Sequence, residues 1–84
     1  MSRPWQYVLH QRVLEHLDNL RPSERRKVRN AMLDLVAQPW QRAVAEIRQP
    51  NIRTHYVKEV PGFRIIYWLD AFVNEVCIVR VERV

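Results

Sequence analysis

Two residues on neighbouring predicted strands have side chains that suit phosphate chemistry. Arg64 lies near the start of an aromatic and aliphatic run, and a planar guanidinium binds phosphate oxygens in pairs and stabilises developing negative charge. His55 lies in the preceding predicted strand, and an imidazole can take up or release a proton near neutral pH. Chemistry at a phosphate needs a positive charge on the phosphate, together with a base and an acid that move protons. Arg64 could supply the charge, and His55 could act as the base or the acid.

Each of these residues also has an ordinary structural interpretation. Arg64 could be an arginine held in an ion pair by an acidic neighbour such as Glu59 or Glu75, and His55 could be a surface histidine on a strand. His10 and His16 belong to the first strand and helix, where we expect them to pack or to face solvent. His55 is therefore the histidine that the sequence proposes for proton transfer.

A wider set of basic and aromatic residues could bind a substrate around this pair. Trp68 should share a sheet face with Arg64, where it could stack on a base or line a groove for an apolar segment of a protein partner. The consecutive basic residues of the second helix cannot all face one side, so we interpret them as a solvated surface. The candidate substrate-binding residues are Arg48, Arg53, Lys58, Trp68, Arg80 and Arg83.

The composition supports an acidic or nucleic-acid partner without requiring one. The net charge is +5, and twelve of the fourteen basic residues are arginine, which matches phosphate better than lysine does. A solvated surface balanced by nine carboxylates is the alternative. We expect no metal and no cofactor.

The 84 residues are enough for one domain, spanning residues 1–84, and for one hydrophobic core. The single cysteine, Cys77, cannot form an internal disulfide, and its apolar neighbours favour burial. No apolar run approaches the length of a membrane span and no signal-peptide pattern opens the chain, so the expected location is the cytoplasm.

Hydrophobic periodicity predicts a strand and two helices in the first half of the chain. Residues 5–9 form a short aromatic and β-branched run. Apolar residues then recur at helical spacing up to Leu20, and a second helix begins at Pro22 or Ser23 and ends before Pro39. We expect the helices to form an antiparallel hairpin, and we expect Trp5 and Trp40 to be core or helix-packing residues. Residues 40–51 show no clear period and are interpreted as a connection.

The second half changes to a period of two, which predicts three strands over residues 53–59, 63–70 and 75–83. Pro61 and Gly62 fit a type II turn between the first two. The short connections favour an antiparallel meander with both helices on one face and residues 5–9 added as a further strand. Alternation places Phe63, Ile65 and Tyr67 in the core and Arg64 on the opposite face. The predicted class is α+β.

This pattern, with Gly62-Phe63-Arg64-Ile65-Ile66-Tyr67 at its centre, resembles the RelE/ParE superfamily of bacterial toxin–antitoxin systems over nearly the whole chain. The spacing of Leu17 and Leu20 before a basic helix and the Ile47-Arg48 pair after Pro39 add to the resemblance. It implies a toxin held by a cognate antitoxin. RelE-like members cut mRNA in the ribosomal A site, whereas ParE-like members poison DNA gyrase.

The resemblance implies a phosphate-stabilising role for Arg64 and lysines in the preceding strand that activate the 2′-hydroxyl. An ungapped match puts His55 at the first lysine position and Val57 at the second, with Lys58 adjacent. Histidine could replace the first lysine, but valine could not replace the second. The family's C-terminal arginine would have to be replaced by Arg80 or Arg83, and its later tyrosine has no counterpart. A ParE-like gyrase inhibitor or a non-catalytic antitoxin-binding relative is therefore the alternative to the nuclease.

Overall fold

The computed structural model describes residues 3–84 and contains two helices and five strands. In chain order these elements are β1 (Gln6–Leu9), α1 (Gln11–Asp18), α2 (Pro22–Ala37), β2 (Ala45–Gln49), β3 (Ile52–Val60), β4 (Phe63–Asp70) and β5 (Glu75–Arg83). The strands form one sheet in the order β1-β5-β4-β3-β2. β1 pairs parallel to β5 and every other pair is antiparallel. The predicted α+β class and meander are confirmed.

The interpretation of residues 40–51 as a connection is wrong, because this segment contains β2. β2 pairs with β3 at the edge of the sheet, and all five of its residues are exposed. A strand with water on both sides needs no alternation of apolar and polar residues, so its sequence carries no strand period. The sheet therefore has one strand more than predicted.

The core lies between the two helices and one face of the sheet. β4 contributes Phe63, Ile65 and Tyr67, each at most 2% exposed, which confirms the predicted alternation. The apolar stripes of the helices close over them, since α1 and α2 bury Val13, Leu17, Val28, Ala31, Met32 and Leu35 in the same cluster. The opposite face of the sheet is left without a covering element among residues 3–84, and we call it the open face.

Local hydrogen bonds define the helix ends near the core. The Arg12 backbone N–H donates to His10 Nδ1, which caps the first turn of α1. At the other end, the Arg25 guanidinium donates to the carbonyls of Leu17 and Leu20, and the Leu17 carbonyl also accepts from the backbone N–H of Leu20. Arg25 is therefore a structural residue and not part of a nucleic-acid patch.

The β3–β4 turn has the predicted geometry. Gly62 has φ +90°, in the region that the third position of a type II turn requires. No helix among residues 3–84 is long and apolar enough to cross a membrane.

Candidate functional site

Strand register decides which candidate residues reach the open face. Glu59 pairs with Arg64, and Arg64 pairs with Glu82, so these side chains share one side of the sheet. Alternation from this row gives further members of the face, which are His55, Arg53 and Val57 on β3, Ile66, Trp68 and Asp70 on β4, and Arg80, Cys77 and Glu75 on β5. Five of the eight candidate site residues thus lie on it.

A β-bulge at Val79 brings the C-terminal half of β5 into this arrangement. Tyr67 pairs with Ile78 but Ile66 pairs with Arg80, so one residue of β5 has no partner on β4. Such an insertion reverses the faces of all later residues. Without it Arg80 would oppose Ile65 and point at the helices. The bulge therefore places the Arg80 and Glu82 side chains on the open face.

Arg64 lies between two carboxylates in the middle of the open face. Its guanidinium nitrogens are 3.6 Å from Glu59 Oε1 and 3.7 Å from Glu82 Oε2. The side chain is 41% exposed, so solvent and a ligand can both reach it. Glu82 also binds Arg80, whose Nε lies 2.8 Å from Glu82 Oε1. Arg64, Arg80, Glu59 and Glu82, which we call the charge cluster, carry no net charge.

His55 has one ring nitrogen available for proton transfer. Its Nδ1 lies 2.9 Å from the carbonyl oxygen of Arg53. Since a carbonyl oxygen only accepts, Nδ1 carries the hydrogen, and in the neutral ring Nε2 is the nitrogen that can accept a proton. His55 also lies four residues along β3 from Glu59, so its row of the sheet is about 13 Å from that of Arg64.

A shallow cavity connects His55 to the charge cluster. Its volume is about 350 Å³, and the side chains of His55 and Arg80 both line it. The remaining walls are mostly apolar and come from Ile47, Gln49, Ile52, Ile66 and Val79. This volume is large enough for a flat group the size of a nucleobase, with His55 and Arg80 on the cavity wall.

Trp68 forms a stacking surface at the other end of the open face. The Arg53 guanidinium carbon lies 3.8 Å from the centre of the Trp68 ring, which is a cation–π contact. Cys77 pairs with Trp68 across the sheet and is partly rather than fully buried. Burial raises the pKa of its thiol, so the group stays protonated and unreactive at neutral pH.

Three candidate substrate-binding residues lie away from the open face. Lys58 pairs with Ile65 on the helix side, where its Nζ is 2.9 Å from Asp34 Oδ2. Arg83 pairs with Phe63 on the same side and binds Glu24 at 2.6 Å. Arg48 forms an ion pair with Glu46 at 2.7 Å. Glu46 pairs with Tyr56 across the sheet and therefore faces the helix side. These three residues are bound to carboxylates of the protein and do not join the site.

Sequence reasoning missed Glu82 as the second partner of Arg64. Counting back from the turn in a regular register places Val81 opposite Arg64, and only the bulge at Val79 replaces it with Glu82. A bulge depends on packing across the sheet, so no local pattern indicates it. The first partner, Glu59, was among the acidic neighbours weighed for Arg64.

A second cavity opens on the helix side of the sheet, beside the segment before β2. It has a volume of about 530 Å³, and Trp40, Val44, Tyr56, Tyr67 and Leu69 supply its apolar walls. Trp40 is 67% exposed and touches Trp5 edge to face, so the expectation that it packs in the core is wrong. Gln41, Arg42 and Glu46 supply polar walls of the same cavity. An exposed tryptophan beside a cavity with both apolar and polar walls is typical of a protein-binding surface.

Neither a family model nor a curated protein sequence matches the chain. Solved structures do match it. A chain of the RelBE toxin–antitoxin complex from Mycobacterium tuberculosis aligns over 98% of this chain and 100% of its own length, with 20% identity and a TM-score of 0.80. The archaeal RelE–RelB complex from Pyrococcus horikoshii aligns over 96% of both chains, with 15% identity and a TM-score of 0.78.

The isolated RelE toxin of E. coli is a third structural neighbour. It aligns over 94% of this chain and 83% of its own length, with 16% identity and a TM-score of 0.73. Such alignments at low identity establish the fold, and they cover almost the entire chain. The chain therefore has a RelE-like fold.

Proposed function

We propose that this protein is the toxin of a type II toxin–antitoxin system and acts as a RelE-like, ribosome-dependent mRNA endonuclease. The observation that carries the proposal is the RelE-like fold over nearly the whole chain, with a TM-score of 0.80 to a RelBE chain. The central arginine of the open face supports it, because an exposed guanidinium there can meet a phosphate. The ribosome and mRNA imply that the protein works in the cytoplasm.

The open face offers a route for the cleavage step. His55 Nε2 would take the proton of a ribose 2′-hydroxyl, and the resulting oxygen would attack the adjacent phosphorus. The bond from phosphorus to the 5′-oxygen would break, the departing 5′-oxygen would take a proton from water, and a 2′,3′-cyclic phosphate would remain. Arg80, which lines the cavity beside His55, would stabilise charge on the phosphate together with Arg64. A base would occupy the cavity or stack on Trp68, with Arg53 beside it. Lys58, Arg48 and Arg83 have no part in this route.

The antitoxin would neutralise the protein by covering exposed apolar and basic surface. Two of the structural neighbours described above, from Mycobacterium tuberculosis and Pyrococcus horikoshii, are toxin–antitoxin complexes. Here the cavity beside Trp40 and Val44 is the apolar surface that such a partner would fill. The net charge of +5 favours an acidic partner.

A non-catalytic or gyrase-directed toxin is the second candidate, and the charge cluster favours it. Carboxylates on both sides of Arg64 compete with any phosphate, and Lys58 cannot replace the missing family lysine because it faces the helices. Under this alternative the open face would bind a protein and would not cleave RNA.

A paired assay separates the two candidates. The purified protein would be added to ribosomes programmed with a defined mRNA, and cleavage would be read by primer extension. In parallel, supercoiling by DNA gyrase would be followed with the same preparation. We expect cuts within the A-site codon and unchanged supercoiling. Intact mRNA with inhibited supercoiling would overturn the nuclease proposal in favour of the gyrase-directed toxin, and no effect in either assay would refute both activities.

A further inference from the structure

The Glu82 carboxylate occupies the space between two arginines of the open face. One of its oxygens is 2.8 Å from Arg80 Nε, and the other is 3.7 Å from an Arg64 guanidinium nitrogen. The bulge at Val79 creates this geometry, since it turns both β5 side chains toward Arg64. The Glu82 side chain is 31% exposed, so it has room to rotate away into solvent.

A carboxylate and a phosphodiester present similar groups to a guanidinium. Each offers two oxygens that share negative charge, and arginine binds both by the same forked hydrogen bonds. The place between Arg64 and Arg80 is therefore suited to an anion, and in the free protein the chain's own carboxylate occupies it. Because Glu59 also pairs with Arg64, the charge cluster is neutral until a carboxylate leaves.

We propose that Arg64 and Arg80 together form a phosphodiester-binding site in which Glu82 takes the place of the phosphate. Binding of a nucleic-acid strand then exchanges the Glu82 carboxylate for a backbone phosphate. Glu82 consequently lowers the affinity of the free protein for single-stranded nucleic acid. This inference rests on the proposed function for its ligand, but it concerns binding and not cleavage.

The opposite role for Glu82 predicts an effect of the opposite sign. If Glu82 served only to hold the two arginines in a productive orientation, removing its charge would release them and weaken anion binding. If it competes with phosphate, removing its charge strengthens binding. Glu59 contacts Arg64 alone, so its removal should have a smaller effect than removal of Glu82.

The test uses a fluorescently labelled single-stranded DNA oligonucleotide, which lacks the 2′-hydroxyl and is not cleaved. Affinity is measured by anisotropy at low ionic strength for the full chain and for Glu82→Gln. The matched control is Glu75→Gln, an equal change of charge at a β5 residue that makes no ion pair among residues 3–84. Glu82→Asp keeps the charge but shortens the side chain, and Arg80→Ala is combined with Glu82→Gln.

We expect Glu82→Gln to tighten binding by about two- to fivefold, the range that follows from one competing exposed ion pair. Glu82→Asp should also tighten binding. The gain of Glu82→Gln should disappear when it is combined with Arg80→Ala. Binding by Glu82→Gln that is weaker than wild type, or no tighter than that of Glu75→Gln, would overturn the inference.

The outcome is independent of the cleavage assay. If the protein cuts no mRNA but its Glu82→Gln variant gains affinity, the proposed nuclease activity is refuted and the phosphodiester-binding site is supported. If the protein cuts mRNA but its Glu82→Gln variant gains no affinity for the oligonucleotide, the nuclease activity is supported and the role proposed for Glu82 at the phosphodiester-binding site is refuted.

Discussion

Lys58 Nζ lies 2.9 Å from a carboxylate oxygen of Asp34, and this pair ties β3 to α2 on the helix side of the sheet. The Lys58 side chain is only 18% exposed, and its ammonium also donates to the Gln41 side-chain oxygen at 2.8 Å. These two hydrogen bonds and the low exposure of the side chain indicate that Lys58 contributes to stability and not to substrate binding.

Replacing Lys58 with methionine should therefore destabilise the protein without changing the open face. We expect Lys58→Met to lower the free energy of unfolding by about 1 kcal/mol at neutral pH, because an exposed carboxylate partner limits the value of the pair. Urea denaturation would measure the change. A double-mutant cycle with Asp34→Asn isolates the pair, and an interaction energy near zero would contradict the structural role.

The same pair predicts a dependence on pH. The hydrogen bond from Lys58 holds the pKa of Asp34 below its ordinary value, so the folded state releases this proton more readily than the unfolded state. The stabilisation is complete above the ordinary pKa of the carboxyl group and is lost as the pH falls through the lowered one. The deficit of Lys58→Met should accordingly shrink in acid. A deficit that stays constant down to strongly acidic pH would exclude Asp34 as its cause.

Gly62 should resist substitution because of its backbone and not because of crowding. Its φ of +90° is strained for any residue with a Cβ, although a Cβ built there meets no atom within 4 Å. We expect Gly62→Ala to lower the free energy of unfolding by about 1 to 2 kcal/mol, and Gly62→Asn by less, since asparagine tolerates positive φ better. Thermal or urea unfolding would measure both, and equal losses would indicate a steric cause.

The elements that the sequence predicted are those whose burial follows a local period. The bounds of β4 and β5 coincide with residues 63–70 and 75–83, because buried side chains alternate along them between clear turns. β2 was missed because nothing packs on either of its faces. Local periodicity thus indicates which residues contact the core. It does not predict an edge strand that is held only by backbone hydrogen bonds to its neighbour.

The candidate site depended on register, which local patterns do not contain. The alternation of β4 correctly put Arg64 on the face opposite the core. The face on which Lys58 and Arg83 lie followed only from pairing across the sheet. The bulge at Val79 also shifts the register between β4 and β5 by one residue, so Arg64 pairs with Glu82. Residue types therefore suggested the chemistry, and non-local pairing decided which of them meet.

Arg64→Ala should abolish most of the cleavage activity that we propose. Removal of a well-placed charge from a phosphate costs about a hundredfold or more in rate, whereas truncation of an exposed side chain on the open face leaves no cavity. The measurement is primer extension on programmed ribosomes, with circular dichroism to verify folding. Arg83→Ala is the matched control, since it removes an arginine from the helix side, where its contacts are with Glu24 and the Phe63 ring and not with the open face. Full cleavage by a folded Arg64→Ala protein would remove Arg64 from the mechanism.

The tryptophans on the two sides of the sheet, Trp68 and Trp40, should separate RNA binding from antitoxin binding. Trp68 lies on the open face under the Arg53 guanidinium, and an incoming base would replace that guanidinium on the ring. We expect Trp68→Ala to weaken binding of single-stranded RNA by about 1 to 3 kcal/mol, the value of one base stacked on an aromatic ring. Trp40→Ala should leave RNA binding unchanged, because Trp40 lines the cavity on the helix side.

The antitoxin assay should give the reverse pattern. A co-expressed acidic protein encoded beside the gene would be captured with each tagged variant, and its dissociation would be followed by surface plasmon resonance. Trp40→Ala should dissociate faster than wild type, since an exposed aromatic residue next to an apolar cavity supplies a large share of binding energy. Trp68→Ala should retain the complex. If both substitutions weakened RNA and antitoxin binding equally, the two faces would not be separate surfaces, and the assignment of RNA to the open face would fail.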